Sequence, residues 1–142
     1  MEHYKKLENM YLAAPINNYY HPTITINERK SIITIDVKED FFHAANAVHG
    51  SVYFKMLDDA AFFAANSVVK DVFVLTAGFE TNFLRPITTG KLIAKGQIVQ
   101  EMGNKFEAKA DLFDNGGSLI ATGSGIFVKS KILLSSINSF KI

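Results

Sequence analysis

The chain has 142 residues, 48% hydrophobic and 20% charged, with a formal net charge of +1. That balance fits one soluble globular domain able to bury a sizeable core, and with no basic stripe it gives no expectation of a nucleic-acid partner. The absence of cysteine excludes a disulfide framework, a thiolate zinc site and a cysteine nucleophile.

Taken in chain order, the first fifteen residues, MEHYKKLENMYLAAP, mix charged and apolar positions and lack the apolar core of a secretory signal. No stretch approaches the length of uncharged apolar residues that a membrane span needs. The expectation is a cytoplasmic protein with no membrane partner. Residues 2–13 predict a short amphipathic helix presenting Tyr4, Leu7, Tyr11 and Leu12, ended by Pro15. Residues 17–22 read as loop. Two β-rich runs, 23–26 and 31–37, flank Asn27-Glu28-Arg29-Lys30 and predict a hairpin.

From Gly50 to about residue 68 the pattern changes. The run GSVYFKMLDDAAFFAANSV has no proline and no glycine after the first position, and its only charges are Lys55, Asp58 and Asp59. At the helical period those three share one arc, so the helix is expected to be buried on nearly all other sides. Residues 72–86 are β-rich. Three alternating runs follow: Leu92, Ala94, Gly96 and Ile98; Phe106, Ala108, Ala110 and Leu112; Leu119, Ala121, Gly123, Gly125 and Phe127. Gly103-Asn104 and Asn115-Gly116-Gly117 separate them as tight turns, which makes the strands antiparallel neighbours. Small residues within each run leave room for a helix to press on the sheet. The tail after Val128 is apolar but irregular and is left unplaced. One buried helix with a long antiparallel sheet is an α+β layout, expected as a single domain over 1–142 with its core at about 19–128.

Few residues offer chemistry. His49-Gly50 stands where loop meets helix, and free backbone N–H groups at a helix start favour an oxygen carrying negative charge; the plainer reading is a helix entry with a cap. Asp58 and Asp59 are adjacent carboxylates in an apolar helix. Half-buried there, a carboxylate gains a raised pKa and becomes a usable general base. Alternatively Lys55 and Asp59, four apart, pair on the helix surface and Asp58 shares a solvated stripe. His43, Asn46 and Thr76 are weaker signals. Tyr53, Phe54, Phe62 and Phe63 serve as pocket lining or, more often for aromatics at helical spacing, as core. The histidines are scattered, so no metal site is expected, and no phosphate or dinucleotide fingerprint appears; no cofactor is expected.

The ordered set His49-Gly50, an Asp nine residues on, and Asn82-Phe83-Leu84-Arg85-Pro86 resembles the phenylacetate-degradation type of hotdog thioesterase. That family's pattern is His-Gly-Gly, then Leu-Ala-Asp-Thr-Ala, then a strand ending in Asn-Phe-Leu-Arg-Pro. Here the stretches are HGSVYFKMLDDAA and TAGFETNFLRP, and the resemblance runs from about Tyr19 to Val128. It implies a hotdog fold, a long central helix wrapped by an antiparallel sheet, and hydrolysis of acyl-CoA-type or acyl-carrier thioesters. Gly50 matches the glycine whose N–H polarises the thioester carbonyl. Asp58 matches the catalytic carboxylate, acting as base on water or as nucleophile, while Asp59 falls on a variable small position. Thr76 falls where relatives carry a Ser or Thr that helps to position the water. Ser51 replaces the second glycine and, with His49, is expected at the substrate. Where the family often has Asn six residues before the histidine, this chain has His43, with Asn46 three before; either fills the polar role.

Two other functions compete with this one: a 2-enoyl or 3-hydroxyacyl thioester hydratase-dehydratase, which needs a partner histidine not seen downstream of Asp58, and an acyl-CoA sensor without catalysis. Nine residues of helix between His49 and Asp58 span about 13 Å and about 180° of rotation. If Gly50 and Asp58 serve one carbonyl they come from two chains, so a homo-oligomer is expected, a dimer or a dimer of dimers.

Overall fold

In a computed structural model that describes residues 1–142, the chain opens with α1 (Glu2–Ala13), whose buried face is Leu7, Met10 and Tyr11. Leu12, expected on that face, is instead 43% exposed; Met10, one turn on from Leu7, takes the inward position. The stretch expected to be loop contains a single helical turn, α2 (Asn17–Tyr20), closed by His21 in the left-handed conformation (φ 50). A left-handed residue after a turn ends it by a tight backbone bond, here from the His21 N–H to the Asn17 carbonyl.

β1 (Thr23–Asn27) and β2 (Lys30–Asp36) form an antiparallel hairpin with Asn27 opposite Lys30. After a short 3₁₀ turn (Glu39–Phe41) comes the central helix, α3 (Gly50–Asn66). Then follow β3 (Val72–Phe83), β4 (Lys91–Met102), β5 (Lys105–Phe113) and β6 (Leu119–Leu133). The six strands make one antiparallel sheet in the order β1-β2-β4-β5-β6-β3. The tail left unplaced by the sequence continues β6 to Leu133 and ends in a 3₁₀ turn (Leu134–Ser136), whose Leu134 is buried.

α3 packs against all six strands. Its Val52, Met56, Leu57, Ala60, Ala61 and Ala64 are buried against Leu92, Ala94, Ala108, Ala110 and Leu112 of the sheet. The fit is closest at Gly96. A Cβ there would stand 2.2 Å from the Ala60 carbonyl oxygen and 2.7 Å from the Ala61 nitrogen. Only glycine lets helix and sheet backbones meet so closely. The Ser31 hydroxyl donates to the same Ala60 carbonyl at 2.6 Å. Gly123 and Gly125 make room for a different neighbour. Their missing Cβ atoms would collide with Phe79 and the Gly78 carbonyl of β3, not with the helix.

Of the β6 residues expected to face inward, Leu119 departs from the pattern while Ala121 and Phe127 are buried. Leu112 pairs with Ala121 but Phe113 pairs with Leu119, an irregularity that leaves Ile120 as the extra residue. Such a bulge re-aims the side chains on one side of it; Ile120 is fully buried and Leu119 is 37% exposed.

Beyond α3, the Asn66 side chain is fully buried and ties the helix end to β3. Its Nδ2 donates to the Val69 and Val72 carbonyls, and its Oδ1 accepts from the Val74 N–H at 3.0 Å. A buried amide that satisfies several backbone groups at once fixes the register of the strand it holds. Two residues further along β3 is Thr76.

Candidate active site

Asp58 lies in the middle of α3, on the stripe of the helix that the sheet leaves uncovered. Thr76 reaches it from β3: the Thr76 hydroxyl donates to Asp58 Oδ1 at 2.9 Å. Both line a cavity of about 470 Å³, whose walls include Phe54, Phe62, Phe73 and Leu75. That is the size and lining of a small-molecule site, mostly apolar with a few convergent polar groups.

The carboxyl of Asp58 is pushed up from 3.8 to about 6, chiefly because burial penalises its charge. The Thr76 hydrogen bond pulls it back, neighbouring Asp59 pushes it further up, and Lys55 pulls it down. Asp59 is held quite differently. Its Oδ2 accepts from the Tyr11 hydroxyl at 2.7 Å and from Lys55 Nζ at 2.5 Å. The expected Lys55–Asp59 pair is therefore present, but not on a solvated surface: the side chains are only 11% and 21% exposed, because α1 lies over them. Burial, followed by the Asp59 charge, raises the Tyr11 hydroxyl pKa, so it stays a proton donor.

The start of α3 forms a separate cluster. His49 is the helix cap. Its Nδ1 accepts from the Ser51 N–H at 3.0 Å and contacts the Ser51 hydroxyl at 2.8 Å. An Nδ1 that accepts a backbone N–H carries no proton of its own, so the ring's proton sits on Nε2. His43 behaves alike, its Nδ1 accepting from the Ala45 N–H at 3.0 Å, and the two rings stand edge to face at 6.5 Å. Asn46 is in the left-handed conformation (φ 65), its N–H donating to the His43 carbonyl. It thus builds the turn while His43 faces the neighbouring cavity.

The Gly50 N–H donates to no acceptor within the chain. Gly50 lines a second cavity, together with His43, Tyr53, Phe83 and Arg85. A Cβ on Gly50 would come within 2.8 Å of the Phe83 ring. The Asn82-Phe83-Leu84-Arg85-Pro86 stretch ends β3 beside this helix start, and the Tyr53 hydroxyl donates to the Arg85 carbonyl at 2.8 Å. Within one chain, therefore, Asp58 and Thr76 share one cavity while Gly50 and His43 share another. Two turns of α3, about 12 Å of rise, separate them.

Sequence reasoning passed over Asn66 and Asn17 and read Tyr11 only as part of the face that α1 presents. The only signal for Asn66 was a lone amide near the end of an apolar helix. Tyr11 and Asn17 are visible only once α1 and α2 are seen over the central helix. Of the four aromatics read as lining or core, Phe54, Phe62 and Phe63 line the Asp58 cavity and Tyr53 the other. No set of three or more His, Asp or Glu side chains is placed to hold a metal ion. No helix is long and apolar enough to cross a membrane.

Comparison with known proteins identifies the fold and the family. The PaaI protein of the Escherichia coli phenylacetic acid degradation operon superposes with a TM-score of 0.82, at 18% identity over 94% of this chain and 99% of that one. A thioesterase from Haemophilus influenzae gives 0.77 at 16% identity, covering 84% of this chain and 85% of its own. A conserved Pseudomonas aeruginosa protein gives 0.77 at 14% identity over 84% and 96% of the two chains. No curated protein matches the sequence. The fold is the hotdog fold. The family described as the Thioesterase superfamily matches residues 45–121, a span that holds Gly50, Asp58 and Thr76 alike. More than half of the chain lies inside that match, so the chain belongs to the thioesterase superfamily and is a thioester hydrolase.

Proposed function

We propose that the substrate is an acyl-CoA-type thioester and that Asp58 is the group that activates water against it. The observation that carries this reading is the Asp58 carboxylate itself: at the wall of an apolar cavity, with a pKa near 6 and a hydroxyl for its one close partner. A base poised near the working pH removes a proton without being protonated most of the time. Lys55 is engaged with Asp59 and does not quench Asp58 by direct contact.

In the proposed reaction Asp58 takes a proton from water held with the help of the Thr76 hydroxyl. The water oxygen bonds to the thioester carbon. The charge that develops on the carbonyl oxygen is met by the free Gly50 N–H, reinforced by the dipole of α3. The carbonyl then re-forms, the carbon–sulfur bond breaks, and the departing thiolate takes the proton that Asp58 had gained, which restores the carboxylate. Attack by the Asp58 carboxylate on the carbonyl, with later hydrolysis of the anhydride, uses the same residues. His43, His49 and Ser51 are proposed at the substrate, at the Gly50 end.

Because Asp58 and Gly50 of one chain open onto different cavities, the proposed site joins Gly50 of one protomer to Asp58 of its partner. β3 is suited to such pairing. It is a long edge strand, with only β6 beside it, and Leu75, Phe83 and Leu84 on and just beyond it are exposed. Unpaired edges of this kind invite another strand. The proposed compartment is the cytoplasm. Free-thiol release from a panel of acyl-CoAs, by wild type and by Asp58→Asn, tests the reading. Saturable binding with no thiol release would favour the sensor function instead.

A further inference from the structure

Asp58 shares its cavity with polar side chains that the proposed hydrolysis does not use. Lys55 Nζ has three protons to donate, and each finds an oxygen: Asp59 Oδ2 at 2.5 Å, Asn17 Oδ1 at 2.9 Å and the Tyr11 hydroxyl at 3.2 Å. Asn17 closes the ring by donating Nδ2 to the Tyr11 carbonyl at 2.7 Å. Nζ also stands over the Tyr20 ring, 4.8 Å from its centre. Asn17 is 3% exposed, and a buried ammonium is tolerated only when its partners are complete. The network therefore fastens two separate pieces of chain together, α3 on one side and the α1–α2 segment on the other.

That segment is one wall of the cavity. Met10, Tyr11, Ala14, Ile16 and Asn17 all face into it. The rest of α1 has anchors of its own, with Leu7 buried in the core and the Glu8 carboxylate accepting from the Ile26 N–H at 2.9 Å. Residues 14–18 meet α3 through hydrogen bonds at one point, Asn17 to Lys55.

We infer that residues 10–17 are the end wall of the acyl pocket and that the Lys55–Asn17 joint sets how long an acyl group the enzyme accepts, an inference that rests on the acyl-CoA hydrolase reading of Asp58. An acyl chain with its carbonyl at Asp58 runs between Phe62, Phe73 and Leu75 and stops against Met10 and Ile16. The joint offers such a chain nothing polar, since every Lys55 donor already has a partner within the protein. Selection is thus by size, and the acyl group taken is apolar to its far end.

The experiment measures kcat and KM for straight-chain acyl-CoAs of increasing length, with wild type, Asn17→Ala, Lys55→Met and Ala14→Phe. Wild type should lose efficiency beyond a given length. Asn17→Ala and Lys55→Met should raise the ratio of long-chain to short-chain kcat/KM by about tenfold, the worth of a methylene or so of apolar pocket, with the gain mostly in KM. Ala14→Phe fills the wall without touching the joint and should move the limit to shorter chains. Ratios unchanged in all three variants would overturn the inference, and a shift with Ala14→Phe alone would overturn the role of the joint. If wild type hydrolyses no member of the series, the hydrolase reading falls first, and this one with it.

Discussion

Asp58 and Asp59 are consecutive on α3, yet their carboxylates answer to different parts of the protein: Asp58 to Thr76 of β3, Asp59 to Tyr11 of α1 and to Lys55. One is left facing a cavity with a hydroxyl at its side, and the other is locked into a joint. Asp58→Asn should therefore keep the fold, by circular dichroism, and lower kcat by about 10²–10⁴, the usual worth of a positioned acid–base group. Asp59→Asn should cost much less in kcat and act mainly on stability, because it weakens the pairing of a buried lysine. Equal losses of kcat in the two variants would mean that Asp58 has been given the wrong role.

The pH profile follows from the same placement. With Asp58 active as the carboxylate, kcat/KM should rise with pH to a plateau, with a midpoint near 6. The Thr76 hydrogen bond and the Lys55 charge both hold the Asp58 pKa down. Thr76→Val and Lys55→Met should each move the midpoint to higher pH. A midpoint that stays put in both variants would show that another group controls the profile.

Stability should depend on pH in the opposite sense from activity. The folded pKa of Asp58 stands above its ordinary value of 3.8. Between 3.8 and about 6 the folded state binds the proton more tightly than the unfolded chain does, so folding loses stability as pH rises through that window. A rise of this size corresponds at most to about 3 kcal/mol, and solvent screening at a partly exposed group reduces it to about 1 kcal/mol. Asp58→Asn should thus melt higher than wild type at pH 7, and the difference should shrink towards zero below about pH 4. Thermal or urea unfolding at both pH values measures it, and a variant less stable than wild type at pH 7 would contradict the burial cost assigned to Asp58.

Gly50 should resist substitution for a different reason. Its proposed donor is a backbone N–H, and a side chain there runs into the Phe83 ring. Gly50→Val should lose up to about 3 kcal/mol of transition-state stabilisation, the scale of one lost oxyanion donor. Ser51→Gly keeps the N–H that caps onto His49 and should change little. If one site takes Gly50 from one chain and Asp58 from the other, mixing Gly50→Val with Asp58→Ala chains gives heterodimers with one intact site, each recovering up to about half of the activity of a wild-type dimer. Activity that stays at zero after exchange is confirmed by mass would refute the shared site.

The helix and sheet were readable because their periods are strong: α3 carries apolar residues nearly all round, β4 alternates from Leu92 to Ile98 and β5 from Phe106 to Leu112. Leu119 was misread as inward because a bulge breaks the alternation, and bulges leave no mark in an apolar run. The one-turn helix at residue 17 was missed because so short a turn has no period to detect. At the site, Asp58, Thr76 and Gly50 were named from an ordered motif, since each is weak alone. The surroundings of Asp59 were not legible. Its pairing with Lys55 follows from spacing, but that α1 would lie across the pair depends on contacts between residues 44 and 48 positions apart in sequence, which no local pattern encodes.

The seam between Gly96 and Ala60 has a bearing on how such a scaffold can be altered. The obstacle to any side chain at position 96 is helix backbone, which cannot turn aside as a side chain can. Ala60 follows Asp58 by half a turn of helix, so the seam acts as a fixed datum for the depth at which the carboxylate sits. A protein engineer seeking new substrates gains nothing by trying to shift α3. The freedom lies on either side of it, in the N-terminal segment and along β3, where the cavity walls can be exchanged while the datum stays in place. By the same geometry, a residue that never meets substrate should tolerate as little change in a mutational scan as the carboxylate it keeps in register.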